Sequence, residues 1–250
     1  MKFKALLWLP VLALAALPVL GQGGDTHNVQ FDHIRLSFEA SLGSSVTIQQ
    51  VPGDPVADAG PGFSDAAKTQ FTFYDFGEPV DSIFDTGGVR VYRMEDVVQY
   101  GFLQEQVEQV EDLLDTRIDL AQQETLPFVP VLPHGQSLIA RPQYVETGTV
   151  QGIGYITSVM AAQEPFSSSS FLYTFQGISN DGQYYVTAIV PLRTDLFPAE
   201  AIIADPAQFQ QQWPDYLAES IATLNNAAPA DFAPSLDAIN ALVQSVQLAA

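Results

Sequence analysis

Residues 149–192 constrain this chain more than any other stretch. TVQGIGYITSVM, AAQEPFSSSS and FLYTFQGISNDGQYYVTAIVPL follow one another, and the first and last are dense in β-branched and aromatic residues. Such residues fit a pleated, packed surface. Asn180-Asp181-Gly182 separates two strand-like runs and is a hairpin signal, because these residues tolerate the left-handed backbone of a tight turn. Two registers are open. A two-residue loop at Asp181-Gly182 puts Tyr173, Phe175, Gly177, Tyr184, Val186, Ala188 and Val190 on one face. The other face then holds Leu172, Thr174, Gln176, Ile178, Tyr185, Thr187 and Ile189. A three-residue loop with a bulge at Gly182 exchanges the faces of the second strand. The first register separates apolar from mixed residues better and is the one expected. Both faces carry large apolar groups, which predicts an inner hairpin with cover on each side. Gly152-Ile153-Gly154 lacks the third glycine and the helix of a dinucleotide fingerprint. It reads as close backbone approach within a strand.

The flanking segments supply partners and cover. Ile34, Leu36 and Phe38 alternate with polar residues, as do Val46 and Ile48, predicting two antiparallel strands joined by a loop at Ser41–Ser44. Residues 52–67, rich in Pro, Gly, Asp and Ala, read as a surface loop. TQFTFYDF and GGVRVYRM read as strands. Leu103, Val107, Val110, Leu114, Ile118 and Ala121 recur at three- and four-residue spacing, predicting an amphipathic helix over 103–121. Its carboxylates, Glu105, Glu108, Glu111, Asp112, Asp115 and Asp119, read as a solvated face. LPFVPVLPHG reads as an extended crossover, and Pro142 in QSLIARPQYVE marks an edge strand or a bulge. Asp205-Pro206 opens a helix with Phe209, Trp213, Tyr216, Leu217 and Leu224 on its apolar face, and Pro214 offers a second start. Leu236, Ile239, Leu242, Val243 and Val246 define a last amphipathic helix. The fold class expected is α+β, an antiparallel sheet with amphipathic helices packed on its faces, in a single domain over 29–250.

The first residues bear on location. Lys2 and Lys4 precede an apolar run, Ala5 to Leu20, and Val19 and Gly21 suit a cleavage site after Gly21. Residues 1–21 read as a signal peptide and 22–28 as a disordered leader. Cleavage loses two lysines and no acidic residue, taking the formal charge from −20 to −22. A chain so acidic is poorly suited to the phosphates of nucleic acid. With no cysteine there is no lipid-anchoring thiol, no disulfide framework and no thiolate chemistry. The localisation expected is secreted or extracytoplasmic, in the cell envelope, without a lipid anchor or a later membrane span.

Motifs for chemistry are sparse. The three histidines, His27, His33 and His134, fall in the leader, a strand and the crossover, and no pair has the helical spacing of a zinc site. There is no Gly-x-Ser-x-Gly elbow. Asp75-Phe76-Gly77 has no kinase motifs around it. Asp54, Asp58 and Asp65 could bind Ca²⁺, although spacings of four and seven do not fit an EF-hand loop. No other cofactor is expected. The most distinctive polar set lies on or beside the hairpin: Arg141, Tyr144, Tyr155, Gln176 and Tyr185. Aromatic and amide groups on a sheet face can hold a sugar or a peptide, and they can equally lie under a helix.

Through FLYTFQGISNDGQYYVTAIVPL, with upstream LPFVP and GIGYIT, residues 87–200 resemble a group of exported, often lipoprotein-like bacterial proteins that carry a comparable Phe/Tyr-Gln-Gly…Asp-Gly-x-Tyr-Tyr-Val core. The group has no assigned activity, so the resemblance implies export and an α+β domain and carries over no site residue. The function expected is a secreted, non-catalytic binding or envelope-accessory protein for a protein, peptide or glycan ligand. An extracellular hydrolase using carboxylates and a Ca²⁺-dependent adhesion module are the alternatives.

Overall fold

A computed structural model describes residues 26–75, 82–203 and 205–249. The expected signal peptide and residues 22–25 of the expected leader lie outside them, as do Phe76 and Gly77. The chain order is β1 (Thr26–Phe31), β2 (Ile34–Glu39), β3 (Ser45–Val51), β4 (Lys68–Tyr74), β5 (Gly88–Arg93), a short α1 (Met94–Val97) and α2 (Gly101–Thr116). It continues with β6 (Gly135–Glu146), β7 (Val150–Met160), β8 (Phe171–Ser179), β9 (Tyr184–Leu192), α3 (Pro206–Asn226), α4 (Leu236–Ser245) and β10 (Gln247–Leu248). Seven strands form one sheet in the order β3-β4-β5-β9-β8-β7-β6, and β1-β2-β10 form a second. All pairings are antiparallel. The α+β class follows, with helices on both faces of the large sheet.

The hairpin sits third and fourth from the β6 edge, inside the sheet as expected. Phe175 pairs with Ala188 and Gln176 with Thr187, the register that puts the two residue sets on the expected faces. The turn itself differs. Gly182 N–H donates to Ser179 C=O at 2.8 Å, so the turn is built on Asn180-Asp181, and Gly182 follows at φ +71°. Asp181 holds it by accepting from Ser179 Oγ at 2.6 Å and Gln183 N–H at 3.0 Å. Enlarging the loop by a residue on each side preserves parity, so the faces stay the same.

One face packs against β2, α3 and α4. Phe71, Phe73, Phe175, Val186 and Val190 meet Leu36, Phe38, Trp213, Leu242 and Val243 there. The other face packs against α2 and the proline-rich crossover, where Tyr92, Tyr185 and Ile178 meet Leu103, Val107, Val110 and Val129. Gly152 pairs with Gly177, and a Cβ on Gly152 would fall 2.6 Å from Gly177 Cα. These glycines let adjacent strands carry large rings without collision, as close backbone approach requires.

Several expectations are corrected. Strand β1 starts at Thr26, so residues 26–28 are ordered strand rather than leader, and His27 lies 5.0 Å from the Phe38 ring. β2 and β3 do not pair; they belong to different sheets, because β2 finds its partner in β1 through a turn at Asp32-His33. The expected helix over 103–121 stops at Thr116. Arg117 takes the left-handed conformation at φ +51°, and its N–H donates to Leu113 C=O at 2.9 Å, the usual way to close a last turn. Ile118 is exposed and only Leu120 of the next short turn is buried. Pro214 starts nothing: α3 runs through it. The hydrogen bond it removes would end on the carbonyl of Gln210, an exposed position that water can satisfy. At Pro142 both expectations hold, since β6 is an edge strand and its register slips between Ala140 and Gln143.

Candidate functional site

The five polar residues expected to bind a ligand all make hydrogen bonds within the fold. Gln176 is fully buried. Its Oε1 accepts from Val129 N–H at 3.0 Å and Tyr185 Oη at 2.8 Å. Its Nε2 donates to Thr174 Oγ1 at 2.7 Å, Thr187 Oγ1 at 3.0 Å and Val129 C=O at 3.3 Å. The amide thus satisfies both backbone groups of Val129 in the crossover, a segment whose prolines leave it no strand partner. Tyr155, also fully buried, donates to Pro127 C=O at 2.7 Å and accepts from Gln136 Nε2 at 3.0 Å. Burial raises the Tyr155 and Tyr185 phenols well above their ordinary range. Neutral phenols are what an interior of this kind requires.

Arg141 occupies the β6 bulge at φ +52°. Its Nη1 donates to Ala227 C=O at 2.7 Å, Asn225 C=O at 3.1 Å and Leu224 C=O at 3.3 Å, and its N–H donates to Asn225 Oδ1 at 2.6 Å. It therefore caps the C-terminus of α3, where orphan carbonyls and the helix dipole favour a cation. Tyr144 donates to Ile118 C=O at 2.8 Å, and the Arg117 guanidinium lies 4.7 Å over its ring. Burial raises its phenol, and the nearby Arg117 opposes the rise. Tyr144 borders a surface groove of about 280 Å³ with Asn240 and Gln244.

Of the aspartates expected to take Ca²⁺, Asp54 and Asp65 are joined to each other and already accept from protein donors. Asp54 Oδ2 accepts Asp65 N–H at 2.8 Å, while Asp65 Oδ2 accepts Lys68 Nζ at 2.8 Å and Tyr92 Oη at 3.0 Å. Asp58 sits on a separate short turn, residues 56–58. Among the described residues no group of three or more His, Asp or Glu side chains could hold a metal ion.

A different region collects unspent polar groups. The β1–β2 turn overhangs the ends of β3, β4, β5 and β9 and encloses a cleft of about 350 Å³. Asp32, His33, Gln50, Thr69, Arg93 and Tyr184 are among the residues that line it. Asp32 makes the turn at φ +53°, a conformation that aspartate accepts more readily than most residues. His33 Nδ1 lies 2.9 Å from Asp32 Oδ2, and its ring stands 4.6 Å from the Tyr184 ring. A carboxylate only accepts, so Nδ1 carries the proton of this contact and Nε2 is the ring's remaining nitrogen. That Nε2 is buried and has no partner among the described residues. Arg93 reaches Glu95 at 3.3 Å on the exposed rim.

Sequence reasoning passed over this cleft because His33 read as a strand residue. The signal was the pair Asp32-His33 between the alternating runs Val29/Phe31 and Ile34/Leu36, a possible two-residue hairpin loop. Comparison of the chain with protein-family models, curated proteins and solved structures finds no match to any of them. Among the described residues, no helix is long and apolar enough to cross a membrane.

Proposed function

We propose that this protein is an exported, non-catalytic binding or envelope-accessory module, and that the cleft under the β1–β2 turn receives a polar group of a peptide or glycan ligand. One observation carries the reading: His33 Nε2 is a buried polar atom without a partner among the described residues, beside a cleft that is also lined by an amide, a hydroxyl, a guanidinium and a carboxylate. Buried polar atoms in a folded protein are normally paired, so an unpaired one beside a cleft suits a ligand's hydroxyl, which can donate or accept. The basic n-region and apolar run of residues 2–20 support export.

Screening the purified protein by thermal shift against oligosaccharides and peptides tests the reading. A ligand should raise the melting temperature of the native protein and should lose its effect in His33→Ala. Stabilisation by a ligand that ignores His33→Ala would refute the cleft assignment.

One observation favours a second reading. An imidazole held by a carboxylate on Nδ1 with a free Nε2 can act as a general base toward water, which suits an extracellular hydrolase. Consistent inactivity toward ester, glycoside and peptide substrates at acidic and neutral pH would remove it.

A further inference from the structure

The two edges of the seven-stranded sheet are treated differently. An open edge presents a row of unpaired N–H and C=O groups, and soluble proteins usually blunt it with charge, proline, a bulge or a covering element. β6 has all of these: the bulge between Ala140 and Gln143, Pro142, Arg141, Glu146, and the end of α3 clamped to it by Arg141. Ser45–Val51 of β3, on the opposite edge, has no charge, proline or bulge, and among the described residues no element pairs along its outer side. Residues 43–53 read GSSVTIQQVPG, without a charged side chain in a chain of formal charge −20. Ser45–Val51 pairs with β4 in unbroken register, and no backbone group of residues 45–51 bonds to anything beyond β4 among the described residues. In an antiparallel strand about every second residue directs its N–H and C=O to the outer side. Val46 and Ile48 are half-buried members of the core rim, so apolar surface there is only part covered.

We propose that β3 pairs with β3 of a second copy of this chain, antiparallel about a two-fold axis at Ile48, joining two seven-stranded sheets into one. Such a pairing is self-complementary. It sets Ile48 against Ile48, Thr47 against Gln49, Val46 against Gln50 and Ser45 against Val51. No like charges are opposed on the strands themselves, the arrangement that would penalise pairing. A single strand pair is small beside a standard interface of about 800 Å² per partner. The dimer is therefore weak and concentration-dependent. Both chains are strongly acidic outside the strand, so added salt screens their repulsion and strengthens association. A basic partner strand would be released by salt instead.

Sedimentation equilibrium of the purified protein at low and high salt, with hydrogen exchange of the β3 amides, tests this. The expected result is a shift from one to two chain masses with concentration and with salt, accompanied by slowed exchange at alternate β3 residues. Thr47→Lys/Gln49→Lys places lysines opposite each other and should remain one chain mass with an unchanged circular dichroism spectrum. Thr47→Glu/Gln49→Glu should do the same. Mixing the two variants should restore two chain masses, a rescue that only the 47-to-49 register supplies and that a misfolded variant cannot show. The proposal is overturned by a native protein that stays at one chain mass to its solubility limit in high salt. It is equally overturned by a dimer that persists in the lysine variant, or by variants whose mixture does not associate.

Discussion

Replacing Gln176 by leucine keeps a comparable volume and removes every polar atom from the centre of the crossover-facing side of the sheet. Five hydrogen bonds are lost. They do not count equally. Thr174 and Thr187 hydroxyls can rotate to neighbouring backbone carbonyls, and the 3.3 Å bond to Val129 C=O is weak. Val129 N–H and Tyr185 Oη have no such freedom, because both are buried and face the amide oxygen. Each buried donor left without an acceptor costs about 1–3 kcal/mol, so the pair costs about 2–6 kcal/mol. Leucine recovers part of this through added apolar burial, at most about 1–2 kcal/mol. The expected net loss is about 3 kcal/mol, a large share of a stability of about 5–15 kcal/mol. Urea denaturation followed by far-ultraviolet circular dichroism measures it as a fall in midpoint at unchanged slope. Hydrogen exchange should accelerate first at residues 126–132. Tyr185→Phe, which removes one donor and strands none, should cost about 1 kcal/mol. A Gln176→Leu protein less than about 1 kcal/mol below the native one would refute the reasoning that this amide anchors the crossover.

Arg141→Ala should cost about 2 kcal/mol, since it uncovers α3 carbonyls and keeps a left-handed backbone unfavourable to alanine; Arg141→Gly, free of the backbone strain, should cost less in the same denaturation assay. The buried phenols of Tyr92, Tyr155 and Tyr185 are raised chiefly by burial. Their contribution to stability is therefore fully present below about pH 10, the value for an unfolded tyrosine, and is lost as pH climbs above it toward the folded values. Ultraviolet titration should show these tyrosines ionising only together with alkaline unfolding; smooth ionisation near pH 10 in a folded protein would contradict their burial. Adding Ca²⁺ or EDTA should leave the melting temperature unchanged, because Asp54 and Asp65 already accept from protein donors. A Ca²⁺-dependent rise would revive the adhesion reading.

Much of the architecture was legible because it rests on local periodicity. Side-chain alternation in residues 171–192 is a property of each strand, and the turn preserved its parity even though the loop is larger than expected. The stripe Leu103, Val107, Val110 and Leu114 likewise declares a helix wherever it docks. What was not legible depends on partners distant in sequence. Strand β2 alternates in the same way whether it pairs with β1 or β3, and the choice falls to a two-residue turn at Asp32-His33 that carries no glycine or asparagine. Ile118 continued the helical spacing, yet the helix ended when Arg117 adopted a left-handed backbone and reached Glu146, 29 positions on. The internal hydrogen bonds of the polar set were not legible for the same reason. Gln176 and Tyr155 look available on a strand, and only the return of a proline-rich crossover over that face uses up their hydrogen bonds. The cleft was hidden because its walls come from the β1–β2 turn and from four strands that lie far apart in the chain.

The claim at the centre of this account is that polar groups on the hairpin serve the fold and that binding falls to the cleft at His33. Two-dimensional ¹H–¹⁵N NMR of the protein, titrated with an oligosaccharide and peptide library, tests it most directly. The account predicts that a ligand shifts the resonances of Asp32, His33, Arg93 and Tyr184 while those of Gln176, Tyr155 and Tyr185 stay in place. A ligand that shifts Gln176 and Tyr185 and leaves His33 and Tyr184 unmoved would contradict it.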